Sequence, residues 1–262
     1  MTSKLPFVKA TACGNDFILI DGTLVREPDL KSITQRICNR NLGVGADGVE
    51  WLFQDLQADV RARLINSDGS DAEVSGNGTR CVAAWIAHQR NLKSVRVLTD
   101  AGIKTCELTS RGDTDFHFKS DMGEPQIEGE FPVQISTGNR RGIRLSVGNP
   151  QFIVFVEDFT EQWLSDAAEI ESHPDFPNRT NVEFVKVTGP HEIEIRIYER
   201  GAGETQSSGT GSCASAVAAI HTGRAQSPVK VLAPGGPQIV TWEKRIWLEG
   251  PATILCEGEF FL

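Results

Sequence analysis

No apolar run in this 262-residue chain is long enough to cross a membrane. The longest, Phe17 to Ile20, Val82 to Ala87 and the Ala-rich Ala214 to Ile220, fall well short of the roughly 18 residues that a spanning helix needs. The N-terminus, Met1-Thr-Ser-Lys-Leu-Pro, lacks a charged-then-apolar leader with a small-residue cleavage site, so the expectation is a soluble, cytoplasmic protein without a membrane partner. There is no basic run. Asp and Glu number 35 against 26 Lys and Arg, for a net charge of −9, which argues against a nucleic-acid partner. The six cysteines, at 13, 38, 81, 106, 213 and 256, form no CxxC and have no His-rich companion. Free, mostly buried thiols are therefore expected rather than disulfides, and no metal site is expected.

What is present is a repeat. Glu73-Val-Ser-Gly-Asn-Gly-Thr-Arg-Cys81 and Glu204-Thr-Gln-Ser-Ser-Gly-Thr-Gly-Ser-Cys213 align so that Ser75-Gly76-Asn77-Gly78 matches Ser208-Gly209-Thr210-Gly211, 133 residues later. Each turn leads into a stretch of small and apolar residues, Cys81 to Ala87 and Cys213 to Ile220. A helix apolar on nearly all sides should be buried, so a duplicated domain with one central helix per half is the economical reading.

Most of the remainder reads as strand. Val60 to Leu64 and Ile193 to Ile197 alternate with period two, and Phe152 to Val156, Val182 to Val187 and Gln238 to Trp242 are bounded by turn residues. Other helices are few: 28–40, with Leu30, Ile33 and Ile37 on one face, and 161–171. The expected fold is α+β, with two similar strand-rich lobes that each wrap a central buried helix and are related by a pseudo-twofold. Gly123-Glu-Pro125 is a turn near the midpoint. The expected lobes are 1–122, joined by the C-terminal strand 251–262, and 123–250, with the active site in the cleft between them.

Ser-Gly-x-Gly at a helix start exposes backbone N–H groups that lack an intrahelical partner and favour an anion. A serine merely capping its helix is the plain alternative for either turn. As a pair, the turns can share one carboxylate and flank its α-carbon from opposite faces, the geometry that inversion by proton transfer requires. Phosphate binding fits less well. Gly209-Thr-Gly-Ser lacks the lysine of a P-loop, and no GxGxxG follows a strand with an acidic residue about 20 positions on. Nothing marks a particular lysine for pyridoxal phosphate.

Seven ordered motifs carry a resemblance. They are Gly14-Asn15-Asp16-Phe17, Gly43-Val-Gly-Ala-Asp47-Gly48, Asn66-Ser-Asp-Gly69, Ser75-Gly-Asn-Gly-Thr-Arg-Cys81, Gly148-Asn149-Pro150, Arg179-Thr-Asn181, and Tyr198-Glu-Arg-Gly-Ala-Gly-Glu-Thr205 running into Ser208-Gly-Thr-Gly211. Over essentially its whole length the chain resembles the diaminopimelate epimerases, cofactor-independent isomerases of amino-acid biosynthesis. The resemblance implies interconversion of LL- and meso-diaminopimelate by two-base α-proton transfer in lysine and peptidoglycan precursor synthesis. It also implies a small-molecule amino-acid substrate, no cofactor and a homodimer. By motif position, backbone N–H groups around Gly76-Asn77 and Gly209-Thr210 would hold the reacting carboxylate. Asn15, Asn66, Asn149, Asn181, Glu199 and Arg200 would bind the substrate, mainly its non-reacting end. The chemistry agrees: arginine grips a carboxylate bidentately, glutamate pairs with an ammonium, and asparagines supply orientable donors and acceptors. By residue type alone, each Asn is equally a turn or cap residue, and Glu199-Arg200 a solvated strand end.

The departures lie at the centre of the chemistry. Serine stands at both positions where the family has catalytic cysteine, Ser75 and Ser208, and Gln151 follows Asn149-Pro150 where the family commonly has His. An alcohol is a far weaker acid than a thiol and normally needs an adjacent base. His88 and His221 fall beyond the two turns, down the helices; Cys81 and Cys213 fall on the helix bodies; Cys13 is the one thiol expected near the site. Three readings stay open: an isomerase of this type, weakened or silenced by its serines; a catalytically silent amino-acid-binding homologue; and a related two-lobed isomerase with another substrate.

Overall fold

The computed structural model describes residues 4–26 and 29–262. Two compact units emerge: residues 1–120 with 250–262, and residues 121–249. The strands β8 (Asp115–Gly123) and β17 (Ile246–Phe261) each pass from one unit into the other.

The first unit runs β1 (Lys4–Ala12), β2 (Asn15–Asp21), α1 (Leu30–Cys38), β3 (Gly48–Phe53), β4 (Val60–Asn66), β5 (Asp71–Ala72), α2 (Gly76–Gln89), β6 (Ser94–Thr99), β7 (Gly102–Arg111) and β8. Two crossovers shape it. Helix α1 carries the chain from β2 to its parallel neighbour β3, and α2 carries it from β4 to the parallel β6. The other pairings, β1 with β2, β3 with β4 and β6 with β7, are antiparallel. Parallel neighbours need such a crossover connection, whereas antiparallel ones are joined by turns.

The second unit repeats this order. After β9 (Gln126–Ile135) come β10 (Gly138–Ser146), β11 (Pro150–Phe155), α3 (Trp163–Glu171), β12 (Asn181–Gly189), β13 (Glu192–Glu199), β14 (Gly203–Thr205), α4 (Gly209–His221), β15 (Val229–Ala233), β16 (Gly236–Trp242) and β17. β11 and β12 are parallel across α3, and β13 and β15 are parallel across α4. The helix and strand order of the first unit is thus rebuilt with different side chains.

Each unit has two apolar layers, and strand alternation sorts residues between them. In the first unit, Cys81 to Ala84, Ile86 and Ala87 of α2 pack on Val8, Ala10, Phe17, Leu19, Ala62, Leu64, Val95, Phe116 and Phe118. On the other side, Leu30, Ile33 and Ile37 of α1 meet Ile18, Ile20, Val49, Trp51 and Ile65. The second unit does the same: α4 sits on Ile143, Ile153, Val185, Ile195, Val231 and Leu248, and α3 on Phe152, Val154, Val182 and Phe184. Among the described residues no helix is long and apolar enough to cross a membrane. Among the described residues no two cysteines are joined in a disulfide, and all six but Cys256 are buried.

Both remaining helices depart from the sequence reading: α3 begins at Trp163 rather than 161, and α1 is shortened with a clear cause. The helix expected over 28–40 covers Leu30–Cys38, and Pro28 lies outside the described residues. It stops because Asn39 turns extended (φ −61°, ψ 121°) and its Oδ1 accepts the N–H groups of Asn41 and Leu42. An Asx turn of this kind competes with helix continuation.

Candidate functional site

The chain builds two similar polar clusters, one at the N-terminus of each buried helix. In the first, Ser75 is the N-cap of α2, extended at φ −121°, ψ 126°, and its Oγ accepts Gly78 N at 3.0 Å. In the second, Ser208 caps α4 at φ −138°, ψ 126°, and its Oγ accepts Gly211 N at 3.1 Å. The capping role weighed from sequence is therefore realised in both. The cap uses each Oγ as an acceptor and sets it against the positive end of a helix dipole, and the Ser208 hydroxyl also hydrogen-bonds the Glu199 carboxyl. Gly76 faces open space, where an added Cβ would meet no protein atom within 4 Å, so a ligand can approach its backbone.

Around Ser75 the polar side chains form one chain of hydrogen bonds. Arg80, 2% exposed despite its charge, donates to Asn77 Oδ1, to Pro251 O (3.3 Å) and to Cys13 Sγ (3.8 Å). Asn77 Nδ2 donates to Asn15 Oδ1 at 2.5 Å, and Asn15 Nδ2 donates to Asp47 Oδ2 at 3.1 Å. Arg40 then bridges Asp47 and Asp16. Each amide has its oxygen and nitrogen assigned by a neighbour that can only donate or only accept. Asn66, at the end of β4, donates to Ser70 Oγ at 3.0 Å and stands apart from this chain.

Around Ser208 the partners differ but the plan is kept. Asn149 Nδ2 donates to Thr210 Oγ1 at 3.3 Å, and Thr210 Oγ1 lies 3.4 Å from Ser208 Oγ. Gln151 is fully buried, with its amide 2.8 Å from Asn149 Oδ1. Turned so that Nε2 donates to Glu183 Oε1 at 2.9 Å, its oxygen accepts from Asn181 Nδ2 at 3.1 Å and Thr210 Oγ1 at 3.2 Å. Asn181 Oδ1 in turn accepts Arg200 N at 2.8 Å, and the Arg200 guanidinium donates to Asn178 O at 3.0 Å. Burial pushes the Glu199 carboxyl above the usual range, with the nearby Ser208 and Thr205 hydroxyls pulling the other way. A cavity of about 650 Å³ beside this cluster is lined by Asn149, Arg144, Arg179 and Arg200.

Sequence reasoning missed two residues in particular. Glu50 on β3 is 3% exposed and Glu183 on β12 is fully buried. Each turns toward its central helix, because its strand neighbours Val49 and Trp51, or Val182 and Phe184, fill the opposite layer. The residues paired with them are aliphatic: Leu19 and Leu64 flank Glu50, and Ile153 and Ile197 flank Glu183. Burial alone pushes the Glu50 carboxyl up to about 8, and burial with the charge of Glu199 holds Glu183 well above its ordinary value. The available signal was spacing, since Glu50 and Glu183 stand 133 residues apart, as do Ser75 and Ser208. His88 and His221 lie in the last turns of α2 and α4, a helix length from the serines.

Residues 7–128 and 144–254 match the family profile described as diaminopimelate epimerase. The chain is 39% identical to a diaminopimelate epimerase of Desulfitobacterium hafniense over 275 residues, 97% of each chain. It is 39% identical to one of Pelotomaculum thermopropionicum over 97% of this chain and 98% of that one. Among solved structures it resembles a hydroxyproline epimerase of Agrobacterium vitis with bound trans-4-hydroxy-L-proline. That match has a TM-score of 0.72 at 14% identity, covers 98% and 91% of the two chains, and speaks to the fold.

Proposed function

The chain belongs to the diaminopimelate epimerase family, and we propose that it interconverts LL- and meso-diaminopimelate by proton transfer at the α-carbon. The observation that carries this reading is the repeated half-site, in which a serine hydroxyl and a glycine turn stand at a helix N-terminus in each unit. Inversion needs a group on each face of the α-carbon, and duplication provides two alike. In this reading both half-sites address one substrate. The first-turn N–H groups at Gly76-Asn77 and Gly209-Thr210 hold its carboxylate and stabilise the charge that spreads onto it when the α-proton leaves. Asn15, Asn66, Asn149 and Asn181 orient the molecule, Arg200 takes the distal carboxylate, and Glu199 faces an ammonium. The supplied chemistry is acid–base throughout and calls on no cofactor. Cytoplasmic location and a homodimer complete the proposal, in keeping with a biosynthetic amino-acid isomerase.

A second reading, an amino-acid-binding homologue without turnover, is favoured by one observation. Both base positions hold alcohols already engaged as helix caps. One experiment separates the two. LL-diaminopimelate is incubated with the protein in deuterium oxide and followed by NMR. Meso product carrying deuterium at the inverted carbon is expected; saturable binding with no exchange would leave only the binder.

A further inference from the structure

The second polar cluster contains a buried amide whose direction follows from its neighbours one hydrogen bond at a time. Arg200 N belongs to the backbone and can only donate, so the Asn181 atom 2.8 Å from it is Oδ1 and the other end of that amide is a donor. Asn181 Nδ2 lies 3.1 Å from Gln151, which must answer with its oxygen. The Gln151 nitrogen then falls on the Glu183 carboxyl, 2.9 Å from Oε1 and 3.2 Å from Oε2, while its oxygen accepts the Thr210 hydroxyl at 3.2 Å. With that oxygen in place, Asn149 would meet it oxygen to oxygen at 2.8 Å. The Asn149 amide therefore turns in step and gives its nitrogen to Gln151 in place of Thr210.

Nothing in the fold calls for an amide at this point. On the parallel pair β11–β12, Gln151 faces Asn181 and Ile153 faces Glu183. On the matching pair β2–β3, Phe17 faces Gly48 and Leu19 faces Glu50. Gln151 thus stands on the rung that Phe17 fills in the first unit, where an apolar ring packs beneath α2. Burying an amide in that place, with no exposed surface at all, costs free energy unless both of its ends are satisfied. Both are. The groups its oxygen meets are Asn149, Asn181 and Thr210, three of the residues that the sequence motifs assign to the substrate, and Asn181 carries the contact on to the backbone of Arg200.

We infer that Gln151 is a positioning residue of the second cluster: anchored through its nitrogen on Glu183, its oxygen sets the direction of Asn149, Asn181 and Thr210 and so arranges them in advance for an amino-acid substrate. The inference rests on the epimerase reading above, in which those three residues meet diaminopimelate. Gln151 itself touches no substrate and moves no proton. Its contribution is to affinity, because polar groups already aimed at a ligand bind it without first having to reorient.

The test is calorimetric titration with LL-diaminopimelate, each variant first checked by a thermal melt. Gln151→Met keeps the length of the side chain without its amide and is expected to weaken binding about 10–100-fold. The double variant Gln151→Glu, Glu183→Gln exchanges the pair. A carboxylate oxygen at 151 still accepts from Asn149, Asn181 and Thr210, and the amide now at 183 donates across to it, so affinity should return to within about fivefold of the parent. Binding by Gln151→Met within about threefold of the parent would overturn the inference and leave packing as the role of the side chain. A loss that the exchanged pair fails to restore would overturn it as well. Either outcome leaves the epimerase reading intact, whereas a parent that binds no diaminopimelate would remove both. A neutron structure of the unaltered protein in deuterium oxide tests the same point without any variant, since it shows which end of each amide carries deuterium. The Gln151 nitrogen is expected on Glu183 and the Asn181 nitrogen on Gln151; the opposite direction at Gln151 would overturn the inference.

Discussion

Glu50 shows how burial alone turns an ordinary acid into a group that titrates in the neutral range. Its carboxyl has a pKa of about 8 in the fold against 4.5 when unperturbed. Between those values the native state binds the extra proton. Its contribution is therefore fully present below about 4.5 and is lost as pH rises toward about 8. Glu50→Gln removes that loss, so in urea unfolding the variant should gain on the parent by on the order of a few kcal/mol between pH 5 and pH 9. Parallel stability curves would contradict the burial argument. Arg200 belongs to a different class. It is exposed, and its guanidinium donates to Asn178 O. Arg200→Ala should thus cost binding rather than stability, about 1.5–3 kcal/mol as read by calorimetry with diaminopimelate. An unchanged affinity would dismiss its role at the distal carboxylate. At this scale the sequence was partly legible. Asn15 and Asn77 stand in motifs, and the structure joins them through one hydrogen bond. Arg80 was not legible, because a charge at the head of an apolar helix reads as solvent-facing; here it is enclosed by Asn77, Cys13 and the backbone at Pro251. Glu50 and Glu183 were hidden for the same reason, since a polar residue between apolar ones in a strand ordinarily points to water.

The two buried helices were the most legible elements, because small apolar residues on every side leave no face for water. Their caps are where local structure and chemistry meet. Ser75→Ala or Ser208→Ala removes the side-chain acceptor of Gly78 N or Gly211 N, and each should lower stability by about 1 kcal/mol in chemical denaturation. A variant as stable as the parent would mean that the hydroxyl does not hold the turn. The strands over 94–146 were the least legible. β7, β8, β9 and β10 are long, and many of their residues are exposed on both faces, so that apolar alternation is weak. In β9, for instance, Gly129 falls among Ile127, Phe131 and Val133 on the inner face and Pro132 among the polar residues of the outer one, which interrupts the alternation. Strand identity there is set by pairing with a neighbour, as in the register of β9 on β10, which no single segment reveals.

At the scale of the whole molecule, duplication is the organising fact. Every crossover of the first unit recurs in the second, and so does the sequence of serine, glycine turn and buried glutamate. The repeat was legible because the Ser-Gly-x-Gly turns are short and chemically constrained. The matching of β2–α1–β3 with β11–α3–β12 was not, since apolar strands of similar composition carry little register information. Family membership follows from relatives 39% identical over nearly the full chain. The likeness to the hydroxyproline epimerase speaks to the fold, and chemistry has to be argued from side chains. The central claim is that each repeat contributes one proton-transfer group and that both serve a single α-carbon. It is tested most directly by net epimerisation of LL-diaminopimelate by the parent, by Ser75→Cys, by Ser208→Cys and by the double variant. A joint site predicts that the double variant exceeds the parent by about 100-fold or more, while either single change stays within about tenfold of it, because a competent group is needed on both faces. A single cysteine variant as fast as the double, or a double no faster than the parent, would contradict the claim.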